Sequence, residues 1–131
     1  MSGSAMDPNE RLIRDAFAAI DRMDAAGFVQ YLTEDASFQF GNMPAANGRD
    51  AIQAAAQGFF DSIKRLQHHF VAFFKDGDVW IVEQMVDYVD GWGRAHQLPC
   101  VNVLRLRGDK LADYRIYMDV SPLFIPPAEA A

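Results

Sequence analysis

The sequence predicts an α+β fold in which three N-terminal helices lie on one face of a curved antiparallel sheet. Three observations point to it. Apolar residues recur at helical spacing through the first half of the chain. From Leu66 onward the pattern changes to strands divided by short turns at Asp76-Gly77, Gly91-Trp92-Gly93 and Gly108-Asp109. And 131 residues, half of them hydrophobic and 23% charged, make up one compact domain without repeats.

The first helix starts at Asp7-Pro8-Asn9-Glu10, with Asp7 as N-cap, Pro8 at the first helical position and Glu10 placed to complete a capping box. Leu12, Ile13, Ala16, Phe17, Ile20 and Met23 form its apolar face, which should end near Asp24. Asp24 caps a second, short helix through Leu32, with Phe28, Val29 and Leu32 turned inward. A short strand follows over Ala36 to Phe40, then a loop from Gly41 to Gly48. The third helix runs from Arg49 to Lys64 on a stripe of Ile52, Ala55, Ala56, Phe59, Phe60 and Ile63. Four antiparallel strands complete the chain.

Composition excludes several function classes. The net charge is -6, and no basic block interrupts the sequence, so a nucleic-acid partner is not expected. Charge or glycine breaks every apolar stretch well before the ~18 residues of a membrane span, so no membrane partner is expected either. With Cys100 as the single cysteine, no intramolecular disulfide can form, which fits a reducing, cytoplasmic setting. No Gly-rich phosphate loop, CxxC pair, HExxH or GxSxG is present, and no cofactor is expected. Residues 1–6 read as a flexible leader, 7–125 as the single domain, and 126–131, with paired prolines, as a flexible tail.

Turn lengths suggest a register. If Asp76-Gly77 and Gly91-Trp92 are two-residue hairpin loops, His68 falls opposite Met85, Phe70 opposite Glu83, and Asp87 opposite His96. Met85 then faces Leu98, and Glu83 faces Cys100. The other face, with Trp80, Val82, Val86, Tyr88, Val101 and Val103, is too apolar to be left in water and should meet a second copy, giving a homodimer. For Tyr114, Ile116 and Met118 to share a face with Asn102 and Leu104, the last hairpin needs a three-residue loop or a bulge.

Three stretches carry a family likeness: Tyr31-Leu32-Thr33-Glu34-Asp35-Ala36-Ser37-Phe38, the helix start Gly48-Arg49-Asp50-Ala51-Ile52, and Tyr114-Arg115-Ile116-Tyr117-Met118-Asp119. Over residues 8–124 the chain resembles the SnoaL-like branch of the nuclear transport factor 2-like superfamily, with ketosteroid isomerases, limonene epoxide hydrolases and polyketide cyclases as relatives. The resemblance implies a cone-shaped curved antiparallel sheet with three N-terminal helices enclosing an apolar pocket. The relatives' catalytic patterns do not carry over. In the isomerase pattern the tyrosine and the aspartate base fall on Ala16 and Phe40; the second oxyanion donor falls on Asn102, whose amide can still donate. In the epoxide hydrolase pattern the water-positioning pair falls on Phe38 and Phe40, the arginine on Met85, and the two aspartates on Asp87 and Ile116.

Asp87 therefore remains as a candidate base, toward the pocket, where burial would raise its pKa. His96, opposite it in the proposed register, completes a catalytic pair as general acid or base. His68 lies diagonally adjacent, so His68, Asp87 and His96 imitate a two-histidine, one-carboxylate site, but no local ligand signature supports a metal. His69 points to the other face. Glu83 reads as a rim residue and Cys100 as buried and inert. Phe17, Phe38, Phe40, Phe59, His68, Met85, Asn102, Tyr114, Ile116 and Met118 are expected to line the pocket, which ten Phe and six Met suit to a small apolar molecule. Two functions remain open: a cofactor-independent isomerase, cyclase or hydrolase, and a non-catalytic binding protein or dimeric module without ligand.

Overall fold

The computed structural model describes residues 6–130, so the expected leader lies, apart from Met6, outside the described residues. Helix α1, Pro8–Asp21, starts as its sequence dictates, with the Asp7 carboxylate accepting from the Asn9 N–H at 2.8 Å. Glu10 does not close a capping box; it pairs with Arg14 one turn on, at 2.9 Å. Helix α2, Ala25–Val29, is capped by Asp24, which accepts from the Gly27 N–H at 2.9 Å. It stops short of Leu32 because Leu32 already opens strand β1, Leu32–Phe40, opposite Leu111. Within the expected loop a two-residue strand β2, Ala46–Asn47, folds back on β1. Helix α3, Arg49–Asp61, is tied to β1 by its first residue: the Arg49 Nε and Nη2 donate to the Leu32 carbonyl at 3.0 and 2.6 Å.

Strands β3 (Ile63–Asp76), β4 (Val79–Asp90), β5 (Ala95–Arg107) and β6 (Lys110–Tyr117) form the antiparallel meander. The curved six-stranded sheet has the order β2-β1-β6-β5-β4-β3. It is mixed, because β1 joins β6 in parallel, with Phe38 opposite Tyr114. A 3-10 turn at Ser121–Phe124 packs against β4, and one helical turn, Pro127–Ala130, follows with Pro127 at its first position.

Beyond the Val71 bulge and along the β4–β5 hairpin the register departs from the sequence-based one by a single residue, which exchanges the two faces of β4. The first hairpin loop is Gly77-Asp78, so Asp76 pairs with Val79, and a bulge at Val71 then sets His68 opposite Val86 and Phe70 opposite Gln84. The second loop has three residues, Gly91-Trp92-Gly93: the Asp90 N–H donates to the Arg94 carbonyl at 2.9 Å, and Gly93 takes a left-handed φ of 92°. The Asp90 carboxylate builds this loop by accepting from the Trp92 and Arg94 N–H groups, each at 2.9 Å. Hence Asp87 faces Gln97, His96 faces Tyr88, and Met85 faces Pro99. The last hairpin has the two-residue loop Gly108-Asp109, and a bulge at Ala112 puts Tyr114 opposite Leu104 and Ile116 opposite Asn102.

The physical reason for this choice of faces is burial. Trp80, Val82, Gln84, Val86 and Tyr88 are each at most 4% exposed and pack beneath the helices as the core. They are not a partner surface, and the argument for a dimer through them falls. Ile81 and Glu83 point outward and are exposed; Met85 and Asp87, on the same side, are half-buried.

Candidate functional site

Between the inner face of the sheet and the helices lies a cavity of about 490 Å³. Strand β1 contributes Phe38 and Phe40, α3 contributes Phe59, and β3 contributes His68. Asn102 of β5 and Tyr114 and Ile116 of β6 form the floor, with Met118 just beyond the strand end. The rings lean on one another: Phe38 stacks on Tyr114 at 5.4 Å, and Phe40 lies 5.1 Å from Phe59. Of the other expected pocket residues, Phe17 is fully buried and stands behind the wall, 4.8 Å from the His68 ring, and Met85 points to the outer face. Sequence reasoning missed Tyr88, which the register change brings to the cavity, Cys100, already expected on that face but not as a lining residue, and Val120 and Phe124 beyond the last strand.

The structure does not bring Asp87 and His96 together. Asp87, with its side chain 49% exposed, accepts from His69 Nε2 at 2.7 Å and from Gln97 Nε2 at 3.0 Å. Those hydrogen bonds hold its pKa below the usual carboxylate value, the reverse of the burial-driven rise expected. His96 instead binds Asp90, Nε2 to Oδ2 at 2.8 Å, and Arg94 Nε joins the same oxygen at 2.7 Å. Burial pushes the Asp90 carboxyl up, but the His96 and Arg94 hydrogen bonds outweigh it and hold the group well below the ordinary range. This cluster anchors the β4–β5 loop, and Arg94 also donates to the Ile125 carbonyl. Among the described residues no three His, Cys, Asp or Glu side chains gather as metal ligands, so the imitation site of His68, Asp87 and His96 is not formed.

The third histidine behaves differently. His68 has a side chain only 8% exposed and lines the cavity. Its Nδ1 lies 2.6 Å from Oδ1 of Asp21, the last residue of α1, and its main-chain N–H donates to both Asp21 oxygens at 3.1 and 3.2 Å. A carboxylate only accepts, so Nδ1 carries the proton, and in the neutral imidazole Nε2 is the nitrogen with the lone pair. Nε2 has no hydrogen-bond partner among the described residues. This is the arrangement of an oriented general base.

The remaining polar groups at the cavity are donors. Burial raises the pKa of Tyr88 and Tyr114 well above the ordinary phenol value and pushes the Cys100 thiol to about 11, so all three stay protonated. The Tyr88 hydroxyl donates to Met118 Sδ at 3.5 Å. Asn102 is held on one side by Gln84 and lies, through Nδ2, 3.4 Å from the Arg115 carbonyl on the other.

A curved sheet roofed by three helices over an apolar cavity, with the His68–Asp21 pair in its wall, defines an α+β cone. The chain belongs to the SnoaL-like domain family, whose profile matches residues 13–114. Solved structures show the same fold. An NTF2-like protein of unknown function from Burkholderia pseudomallei K96243 superposes with a TM-score of 0.81 at 18% identity, covering 89% of this chain and 95% of that one. A protein described as a SnoaL-like polyketide cyclase, from Jannaschia sp. CCS1, gives 0.80 at 16%, covering 94% and 100%. TerC, crystallised with polyporic acid, gives 0.79 at 16%, covering 88% and 95%.

Proposed function

We propose that the cavity binds a small, largely apolar molecule and that His68, oriented by Asp21, exchanges a proton with it in a cofactor-independent isomerisation, cyclisation or hydrolysis. The 2.6 Å contact between His68 Nδ1 and Asp21 Oδ1 in the cavity wall carries this reading. It replaces the pair Asp87 and His96, which the register separates. In support, TerC was crystallised with polyporic acid, and a related fold carries the description of a polyketide cyclase.

The test uses 1-tetralone as a probe. Its α-protons should exchange faster in D2O when the protein is present, and His68→Asn should abolish the acceleration while saturable binding persists. Equal acceleration in the variant overturns the base assignment. The second reading, a non-catalytic binding protein, is favoured by the apolar Phe38, Phe40 and Ile116 where relatives carry catalytic groups. Saturable binding of tetralone without any acceleration selects it.

The same reading includes a homodimer, now through the outer face of the sheet. There Phe74, Ile81 and Tyr117 are 56, 40 and 53% exposed, and the register sets Val101 and Val103 between them. Sedimentation should give a dimer that Ile81→Glu turns into a monomer; a wild-type monomer at micromolar concentration overturns it. The lone free cysteine, buried Cys100, supports a reducing compartment such as the cytoplasm.

A further inference from the structure

The polar floor of the cavity is set by a residue that does not reach it. Gln84 is 1% exposed and stands between Val82 and Val86 on β4, where an apolar side chain would avoid all polar cost. Its amide nitrogen donates to Asn102 Oδ1 and lies 3.7 Å from Cys100 Sγ, while its Oε1 is buried without a partner among the described residues. A buried, unpaired amide oxygen is destabilising, and such costs collect where function requires them.

The orientation of both amides follows from their neighbours. A main-chain carbonyl can only accept, so the atom Asn102 turns to the Arg115 carbonyl, 3.4 Å away, is its nitrogen. The atom turned to Gln84 is then the Asn102 oxygen, and Gln84 must meet it with its own nitrogen. The Cys100 thiol, kept protonated by burial, donates to that same oxygen at 3.4 Å. The Asn102 oxygen is thus engaged from two sides. Of its two N–H groups, only one has a protein acceptor among the described residues, and Asn102 lines the cavity.

The geometry points to Gln84 as the positioning residue that locks the Asn102 amide with an N–H available to the cavity, so that the site selects ligands bearing an acceptor oxygen such as a ketone. This rests on the proposed reading of the cavity as a small-molecule site. An unlocked amide could turn its oxygen to the cavity and would lose the preference.

The experiment compares 1-tetralone with tetralin, which shares its carbon skeleton but lacks the carbonyl, by calorimetric titration. Wild-type protein should prefer the ketone. In Gln84→Met the affinity for tetralin should stay within about twofold, while the ketone's advantage shrinks by about five- to tenfold, the scale of one hydrogen bond. Asn102→Leu should lose the same advantage, and the double variant should lose no more. A selectively 15N-asparagine-labelled wild type reads the contact without any substitution: one Asn102 amide proton shifts with tetralone and stays in place with tetralin. If both compounds bind and neither the ketone advantage in Gln84→Met nor the Asn102 amide signal responds, the assignment to Gln84 is overturned. If neither compound binds the wild type, the cavity reading itself fails, and this inference fails with it.

Discussion

His68 and His69 are neighbours in sequence, and each holds an aspartate at hydrogen-bond distance, 2.6 Å to Asp21 and 2.7 Å to Asp87. The likeness ends there. Alternation along β3 sends the first inward, 8% exposed, against the cavity, and the second outward, 49% exposed, into solvent. The inner imidazole is sheltered from water, and in the proposed reading its held tautomer acts on the ligand in the cavity. The outer pair is screened, and surface ion pairs of this kind contribute little to stability or chemistry. What separates a candidate base from a surface contact here is one step of strand parity.

The contrast can be broken at several points. The largest effect should come from His68→Asn, which removes the base and should lower proton-transfer rate by about 10²- to 10⁴-fold, whereas His69→Asn should leave it within twofold. Equal losses in the two variants, measured as tetralone exchange rates, would erase the distinction. Asp21→Asn should follow, with a loss of about 10²-fold, because an amide can present its N–H to the imidazole and favour the wrong tautomer; Asp87→Asn should leave the rate unchanged.

The next effect is on stability in acid. Asp90 has a folded-state pKa below its unfolded one, so its stabilisation is present above the ordinary carboxylate value and is lost as pH falls toward the folded-state value. Asp90→Asn should therefore lower Tm at pH 7 and flatten the decline of Tm between about pH 4 and pH 2. A variant that melts like wild type at pH 7 would show the cluster with His96 and Arg94 to be dispensable. The smallest effect belongs to the outer pair: Asp87→Asn should move Tm by no more than about 2 °C, as befits an exposed contact.

Much of the fold could be read from the chain because its signals are local. Asp7-Pro8 and Asp24 cap the helices as their residue types require, and the stripe from Ile52 to Phe60 turns inward. The bulge needed to align Tyr114 with Leu104 is present at Ala112. The side-chain pairs of the candidate site were not legible, because a three-residue loop and a bulge at Val71 each move a register by one, and parity magnifies one residue into a change of face. Two signals pointed the other way. Asp90-Gly91-Trp92-Gly93 has a side chain suited to cap a longer turn and a glycine where the left-handed residue falls. The alternation of Trp80, Val82, Val86 and Tyr88 is more apolar than that of Ile81, Glu83, Met85 and Asp87, and the more apolar set belongs under the helices. Asp21 left a fainter trace: it places negative charge at the C-terminal end of α1, where the helix dipole opposes it. Its partner lies in another element, beyond the reach of local pattern.

The parallel pairing of β1 with β6 has a consequence for how the protein reaches this state. The meander from β3 to β6 can zip through short loops, but Phe38 meets Tyr114 only when segments separated by more than half the chain come together. Closing so long a loop is slow, and in small domains such distant pairings retard folding most. The cavity has walls on both sides of that seam, so an intermediate with its meander formed and β1 undocked has a sheet but no chamber. The site therefore comes into being with the docking of β1 on β6, the most distant pairing in the sheet.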